Sequence, residues 1–286
     1  VKPHPDTGAA SRSTLILTAE PGGIPMLEII DKGSTSDEHP VPLLFVHGGL
    51  HAAWCWDEHF LDYFAEHGFR AVAPSWRGHG GSSTTKPVEK CSLGDYLDDV
   101  HDVAIGLNRS PVLIGHSTGG FLVQKYLERY DAPAGVLMAS TPPTGILRSS
   151  MRIWRRHPWA ALRANAVGRS HEIFNTSARC REHFFSPHTP EDIVAACAAR
   201  IEPESMRAVF VDQMIGKPEV GRITTPLLVL GAEHDGMISH KEVGSTARAY
   251  GTKEVMFSGM GHNMMIEPGW RDVADHIRRW LAETGL

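Results

Sequence analysis

Apolar and polar positions follow two different rhythms along this chain, and the change of rhythm divides it. Residues 1–12 are polar, and two short β-type runs at 15–18 and 26–30 flank Pro21-Gly22-Gly23, which predicts a hairpin. After a loop from Gly33 to His39, six short apolar runs follow, at 42–46, 70–73, 112–114, 136–139, 227–230 and 254–257. Stretches of helical character lie between or after them, at about 56–67, 94–108, 120–130, 240–249 and 268–283. In the last, Trp270, Val273, Ala274, Ile277, Trp280 and Leu281 share one helical face. Short buried strands separated by helices predict an α/β fold, a largely parallel sheet covered on both faces.

Between 139 and 227 this rhythm fails. The stretch is helical in character, is divided by eight prolines, and carries Trp154, Trp159, Ile173, Phe174, Phe184, Phe185 and Phe210 as packing or pocket residues. We read 142–222 as a helical cap inserted into a core built from 1–141 and 223–286. Charge separates the same segment: it holds twelve Arg or Lys against eight Asp or Glu, whereas the remainder is acidic.

The net charge of -5 gives no reason to expect a nucleic-acid partner, and no apolar run approaches the ~20 residues of a membrane span. The four cysteines are scattered and read as reduced, buried thiols. No His, Asp or Glu group has metal-ligand spacing, so neither a metal nor another cofactor is expected. The first residues lack a signal peptide's apolar core. Cytoplasmic location is therefore the expectation, with a removed export signal as the alternative for a chain that lacks an initiator Met.

The chemistry concentrates at Gly115-His116-Ser117-Thr118-Gly119, which follows the apolar run at 112–114 and precedes a helical stretch. A serine on a tight strand-to-helix turn is lifted clear of the backbone, beside the free N–H groups of a helix N-terminus. Such a nucleophile needs a base and a group to orient that base. His262, in a glycine-containing loop after the run at 254–257, fits the base. Asp235, in the loop after 227–230, fits the acid, with Glu233 as its competitor. The order Ser, Asp, His is the one that a serine elbow of this kind requires. The loop His47-Gly48-Gly49-Leu50 offers a backbone N–H for an oxyanion. Gly49 and Thr118 are the expected donors, with Leu50 as the alternative to Gly49.

Several other residues have plainer readings. His47 braces the oxyanion loop by hydrogen bonding and His116 packs. His51, His67, His101, His171 and His234 are surface or core histidines. Arg77-Gly78-His79-Gly80-Gly81-Ser82 lacks the endings of a phosphate loop and reads as a turn supporting the rim of the site.

Taken together, these residues resemble the α/β-hydrolase superfamily over about 25–284. The elbow is similar to the family's nucleophile elbow, His47-Gly48-Gly49 to its oxyanion loop, and Asp235 and His262 to its acid and base. The stretch His51-Ala52-Ala53-Trp54-Cys55-Trp56 resembles cap-bearing esterases and lyases, and Arg77–Ser82 resembles a segment of bacterial members. The resemblance implies the α/β-hydrolase fold: a mostly parallel eight-stranded sheet flanked by helices, with a helical cap after strand six. The activity it implies is carboxylic ester hydrolysis on a small or medium ester. Carbon–carbon hydrolysis, cyanohydrin cleavage and perhydrolysis are alternatives within the fold, and a non-enzymatic receptor is the alternative outside catalysis.

Specificity is expected from the cap. Arg148, Arg152, Arg155, Arg156 and Arg163 are interleaved with Trp154 and Trp159, and the plain reading is a solvated basic face. The functional reading turns one arginine inward to pair with a substrate carboxylate, which suits monoesters of diacids and the monoalkyl phthalate hydrolases of the superfamily. The pocket candidates are then Leu50, Arg148, Trp154, Arg155, Arg156, Trp159 and Asn263. The partner is a small-molecule ester, and the chain acts as a monomer or homodimer.

Overall fold

The short apolar runs bury both of their faces, and that fixes the architecture. In the strand Leu43–Val46, Leu43 and Phe45 point into one apolar layer while Leu44 and Val46 point into another. A strand buried on both sides must lie inside a covered sheet. The computed structural model describes residues 13–16, 26–159 and 170–286. Its eight strands are β1 (Ser13–Ile16), β2 (Glu28–Lys32), β3 (Leu43–Val46), β4 (Ala71–Pro74), β5 (Val112–His116), β6 (Gly135–Met138), β7 (Leu227–Ala232) and β8 (Glu254–Phe257). They form one sheet in the order β1-β2-β4-β3-β5-β6-β7-β8. β1 and β2 pair antiparallel, as do β2 and β4, and the other five pairings are parallel. This is the expected α/β-hydrolase fold. The turn at Pro21–Gly23 lies outside the described residues.

Helices at Phe60–Glu66, Leu93–Ile105, Thr118–Leu127, His240–Ala249 and Trp270–Glu283 flank the sheet. Ser92 starts the second with a reciprocal capping box to Asp95, and Ser239 starts the fourth in the same way with Glu242. Between β6 and β7 the described elements are helical, among them Leu147–Arg156, Ser177–Phe184 and Glu191–Ala199. We refer to this segment as the cap. Arg163, one of the five arginines named for this segment from the sequence, lies outside the described residues. Among the described residues no helix is long and apolar enough to cross a membrane.

Candidate active site

The turn between β5 and the helix Thr118–Leu127 is tight because glycines let three backbones meet. A Cβ on Gly119 would run into the carbonyl groups of Val46 and His47, and one on Gly115 would strike the carbonyl of Gly119. Ser117, between them, adopts φ 53°, a left-handed conformation that costs a non-glycine residue roughly 1–3 kcal/mol. Its backbone is held on both sides: the N–H donates to Met138 O (3.0 Å) and the carbonyl accepts from Thr141 N (3.1 Å). The side chain faces a cavity of about 600 Å³, mouth included, which His262 also lines.

His262 Nδ1 lies 2.8 Å from Asp235 Oδ2, with both side chains buried. The other Asp235 oxygen accepts the N–H groups of Met237 and Ile238, each at 2.7 Å. The carboxylate is thus fixed from the side away from the imidazole. Glu233, the competing acid, instead accepts the N–H of Gly259 at an exposed position. Ser117 and His262 therefore line one cavity, and Asp235 holds the imidazole by its Nδ1 from outside the cavity walls.

Gly49, Leu50 and Thr118 also line the cavity. Among the described residues, no hydrogen bond engages the N–H of Gly49 or of Thr118. The N–H of Leu50 is already committed: it donates to Glu204 Oε2 at 3.1 Å. Leu50 has φ 69°, and its carbonyl accepts from Glu202 N, so the cap grips both backbone groups of this strained residue. Behind the loop, His47 Nδ1 donates to the carbonyl of Gly48 (2.8 Å) and its Nε2 accepts from Trp76 N (3.1 Å). His51 Nδ1 donates to the carbonyl of Gly49 (3.0 Å), and its Nε2 accepts from Asn263 Nδ2 (3.1 Å). These contacts make His47 the expected brace and give His51 a supporting role that sequence reasoning missed.

Glu204 was also missed. It is buried and lines the cavity, with Oε1 accepting from Tyr96 O–H (2.9 Å) and Ser205 N–H (2.7 Å). Oε2 sits at ion-pair distance from His79 Nε2, 3.3 Å. Burial pushes the Glu204 carboxyl up, but His79 and the N–H donors of Leu50 and Ser205 hold it below the usual range. Burial likewise pushes His79 down, yet the Glu204 carboxylate wins and raises it. The turn at Arg77–Ser82 thus supports the rim through His79, while Arg77 itself pairs with Asp99 (2.6 Å).

We expect Glu204→Gln to lower both stability and turnover. Every lone pair of Glu204 faces a donor, so an amide N–H₂ must confront two of them wherever it points. Breaking one partner of a buried pair costs about 3–5 kcal/mol, and releasing the N–H of Leu50 loosens the loop beside Ser117, for which we expect kcat to fall roughly tenfold or more. Urea unfolding and a kcat–KM split check this; a change confined to KM contradicts it.

The cap residues stand elsewhere than expected. Arg148, Arg155 and Arg156 are exposed and absent from the cavity walls. Arg152 pairs with Glu242 (2.7 Å) and the carbonyl of Met237. Trp159 is 81% exposed, and Trp154 lines a separate outer hollow that shares Ile153, Phe174 and Phe210 with the active cavity. Asn263 is fully buried behind His51 and is not a wall residue. Helical geometry explains two of them: Ile146, Ser149 and Ile153 form the buried face of Leu147–Arg156 and its lead-in, which turns Arg148 and Arg155 outward, and Arg156 is exposed at the end of the helix. The walls are instead apolar, built from residues such as Ile146, Ile153, Phe174, Phe184, Val209 and Met237.

Three buried histidines around the site set an acid limit. Burial holds His47 and His116 well below the usual imidazole range, and His51 down to about 4. The folded state therefore binds fewer protons than the unfolded chain once pH falls below ~6.5. Each histidine then removes up to about 1.4 kcal/mol per pH unit. His79 is raised and titrates on the other side: its contribution is full below ~6.5 and is lost as pH rises through its folded value. Thermal midpoints are accordingly expected to fall steeply between pH 7 and pH 5; a flat profile contradicts this account.

A family model described as the alpha/beta hydrolase family matches residues 43–276. The chain belongs to that family. Among curated relatives of this alpha/beta hydrolase, the non-heme chloroperoxidase of Streptomyces lividans is 36% identical over 107 residues, covering 36% of this chain and 38% of that protein. A bifunctional esterase/perhydrolase of Acinetobacter calcoaceticus is 37% identical over 107 residues, with the same coverage of 36% and 38%. The matches thus span less than two fifths of the length of these relatives. Among solved structures, a thermophilic esterase from Thermogutta terrifontis superposes with a TM-score of 0.67 at 22% identity, covering 97% of this chain and all of that one. That likeness concerns the fold.

Proposed function

We propose that this alpha/beta hydrolase is a serine carboxylesterase. The observation that carries the reading is the buried His262–Asp235 pair, whose imidazole lines the same cavity as a left-handed Ser117. In this reading His262 takes the Ser117 proton as Oγ attacks the ester carbonyl. The N–H groups of Gly49 and Thr118 receive the developing oxyanion, since that of Leu50 is engaged by Glu204. The protonated imidazole then gives its proton to the departing alcohol. A water deprotonated by the same imidazole attacks the acyl-enzyme, and Ser117 recovers its proton as the carboxylic acid leaves.

The cavity also argues about substrate. No Arg or Lys stands among its described walls, and its one carboxylate is Glu204. We therefore expect neutral esters to be hydrolysed faster than matching monoesters that carry a free carboxylate, by about tenfold or more, the factor set by ~1.4 kcal/mol. A screen of p-nitrophenyl and alkyl esters of graded length and charge tests both activity and preference. Faster turnover of the anionic monoester restores the arginine reading. Total inactivity on esters contradicts the esterase reading.

Perhydrolysis is the second reading, favoured by the local match to a bifunctional esterase/perhydrolase. There hydrogen peroxide replaces water at the acyl-enzyme and the product is a peracid. Peroxide- and acetate-dependent halogenation of a dimedone reporter separates it from simple hydrolysis.

A further inference from the structure

We propose that His157, Glu182 and His183, in the cap, form a binding site for a divalent transition-metal ion of the zinc type. One ligand atom from each lies within 4.8 Å of the others. His157 Nε2 is 2.8 Å from Glu182 Oε2, and the rings of His157 and His183 meet edge to face with centroids 5.4 Å apart. The three residues are separated along the chain, 157 against 182–183, so ligand spacing in the sequence carries no signal of them.

The second observation is the state of His183. Its side chain is fully buried, yet among the described residues neither ring nitrogen has a hydrogen-bond partner. Buried polar atoms in native proteins are almost always paired, and an ion is one of the few explanations for an orphan. Phe174 packs against the His183 ring at 5.1 Å and closes the apolar side, while Glu182 is 38% exposed and leaves an entry path from solvent. Two imidazoles and one carboxylate suit zinc, nickel or cobalt, whereas magnesium and calcium prefer oxygen ligands throughout. Ligands at ~2.0–2.2 Å from zinc stand a little over 3 Å apart, so small side-chain rotations replace the His157–Glu182 hydrogen bond with two metal bonds. Arg156, next to His157, opposes a cation and moderates the affinity.

The position gives such an ion a structural role. His157 ends the helix Leu147–Arg156, and Glu182 and His183 belong to the helix Ser177–Phe184. These helices supply Ile153 and Phe184 to the active cavity, so the ion joins two of its walls. The backbone of Glu182 and His183 also packs directly on Gly236, the neighbour of Asp235.

Metal counting on the untagged full chain tests the site. The chain is stripped with chelator, dialysed against low-micromolar zinc chloride, and its zinc measured by plasma mass spectrometry beside a thermal unfolding scan. We expect one zinc ion per chain, a thermal midpoint that rises with zinc and not with magnesium, and at least about a 100-fold loss of affinity in His183→Gln and in His157→Ala. His157 is only half-buried, so its variant keeps the test valid if His183→Gln fails to fold. Absence of stoichiometric zinc, or zinc held equally well by His157→Ala, overturns the proposal and leaves an ordinary His157–Glu182 ion pair.

Discussion

Ser117→Ala is expected to lower kcat on p-nitrophenyl esters by on the order of 10⁵-fold or more while the protein stays folded. The alanine keeps the backbone contacts to Met138 and Thr141 and removes only the hydroxyl from the cavity. Relief at φ 53° is not part of the change, because alanine is as disfavoured there as serine. Activity alone therefore falls, and the urea midpoint stays within the spread of a surface substitution. His262→Ala is expected to lose about as much, and the double variant little more, since nucleophile and base act as one unit. An additive double variant, or a Ser117→Ala enzyme with wild-type turnover, sinks the assignment.

The second large effect is expected at Asp235→Asn, about 10⁴-fold in kcat by analogy with other serine triads. The geometry here explains why the amide cannot simply substitute. Asp235 Oδ2 accepts the Nδ1–H of His262, while Oδ1 accepts two backbone N–H groups. An asparagine that keeps its oxygen toward Met237 and Ile238 offers an N–H to His262, forcing the tautomer that cannot accept the serine proton. Turned over, the same N–H₂ group faces two donors and leaves them unpaired in a buried loop, at about 1–3 kcal/mol each. The first outcome appears in kcat and in the pH profile, the second also in stability. Full activity in Asp235→Asn, or rescue of activity by Glu233 in its place, contradicts the arrangement.

What the sequence made legible was local. A strand, a Gly-x-Ser-x-Gly turn and a helix sit within about twenty residues, and each part restricts the backbone of the next. Asp235 and His262 were legible through order, because a parallel sheet of this kind brings the loops after β7 and β8 to the edge where β5 ends. The glycine loop after β3 was legible, with Gly49 as the expected donor and Leu50 as the alternative, but the engagement of the Leu50 N–H was not. That contact comes from Glu204, 154 residues away. No spacing rule reports a contact between a cap residue and a core loop.

Between the two readings of the cap arginines, Arg148, Arg155 and Arg156 follow the solvated face and not the inward pairing, which charge alone could not decide. Counting charges says how many cations a segment holds, not which face of its helix they occupy. The apolar pair Ile146 and Ile153, two turns apart, carried the needed signal: with those residues inward, positions 148 and 155 fall on the opposite face, toward solvent, while Arg156 is exposed at the last residue of the helix. Asn263 follows the same lesson, since its adjacency to His262 in sequence sends it behind the site, to His51, rather than into the cavity.

The central claim is that Ser117 is the nucleophile, and covalent labelling tests it most directly. The protein treated with a fluorophosphonate probe, digested and examined by mass spectrometry is expected to carry a single adduct on the peptide containing Ser117, absent from Ser117→Ala and strongly slowed in His262→Ala. An unlabelled wild-type chain, or an adduct that persists in Ser117→Ala, contradicts the account.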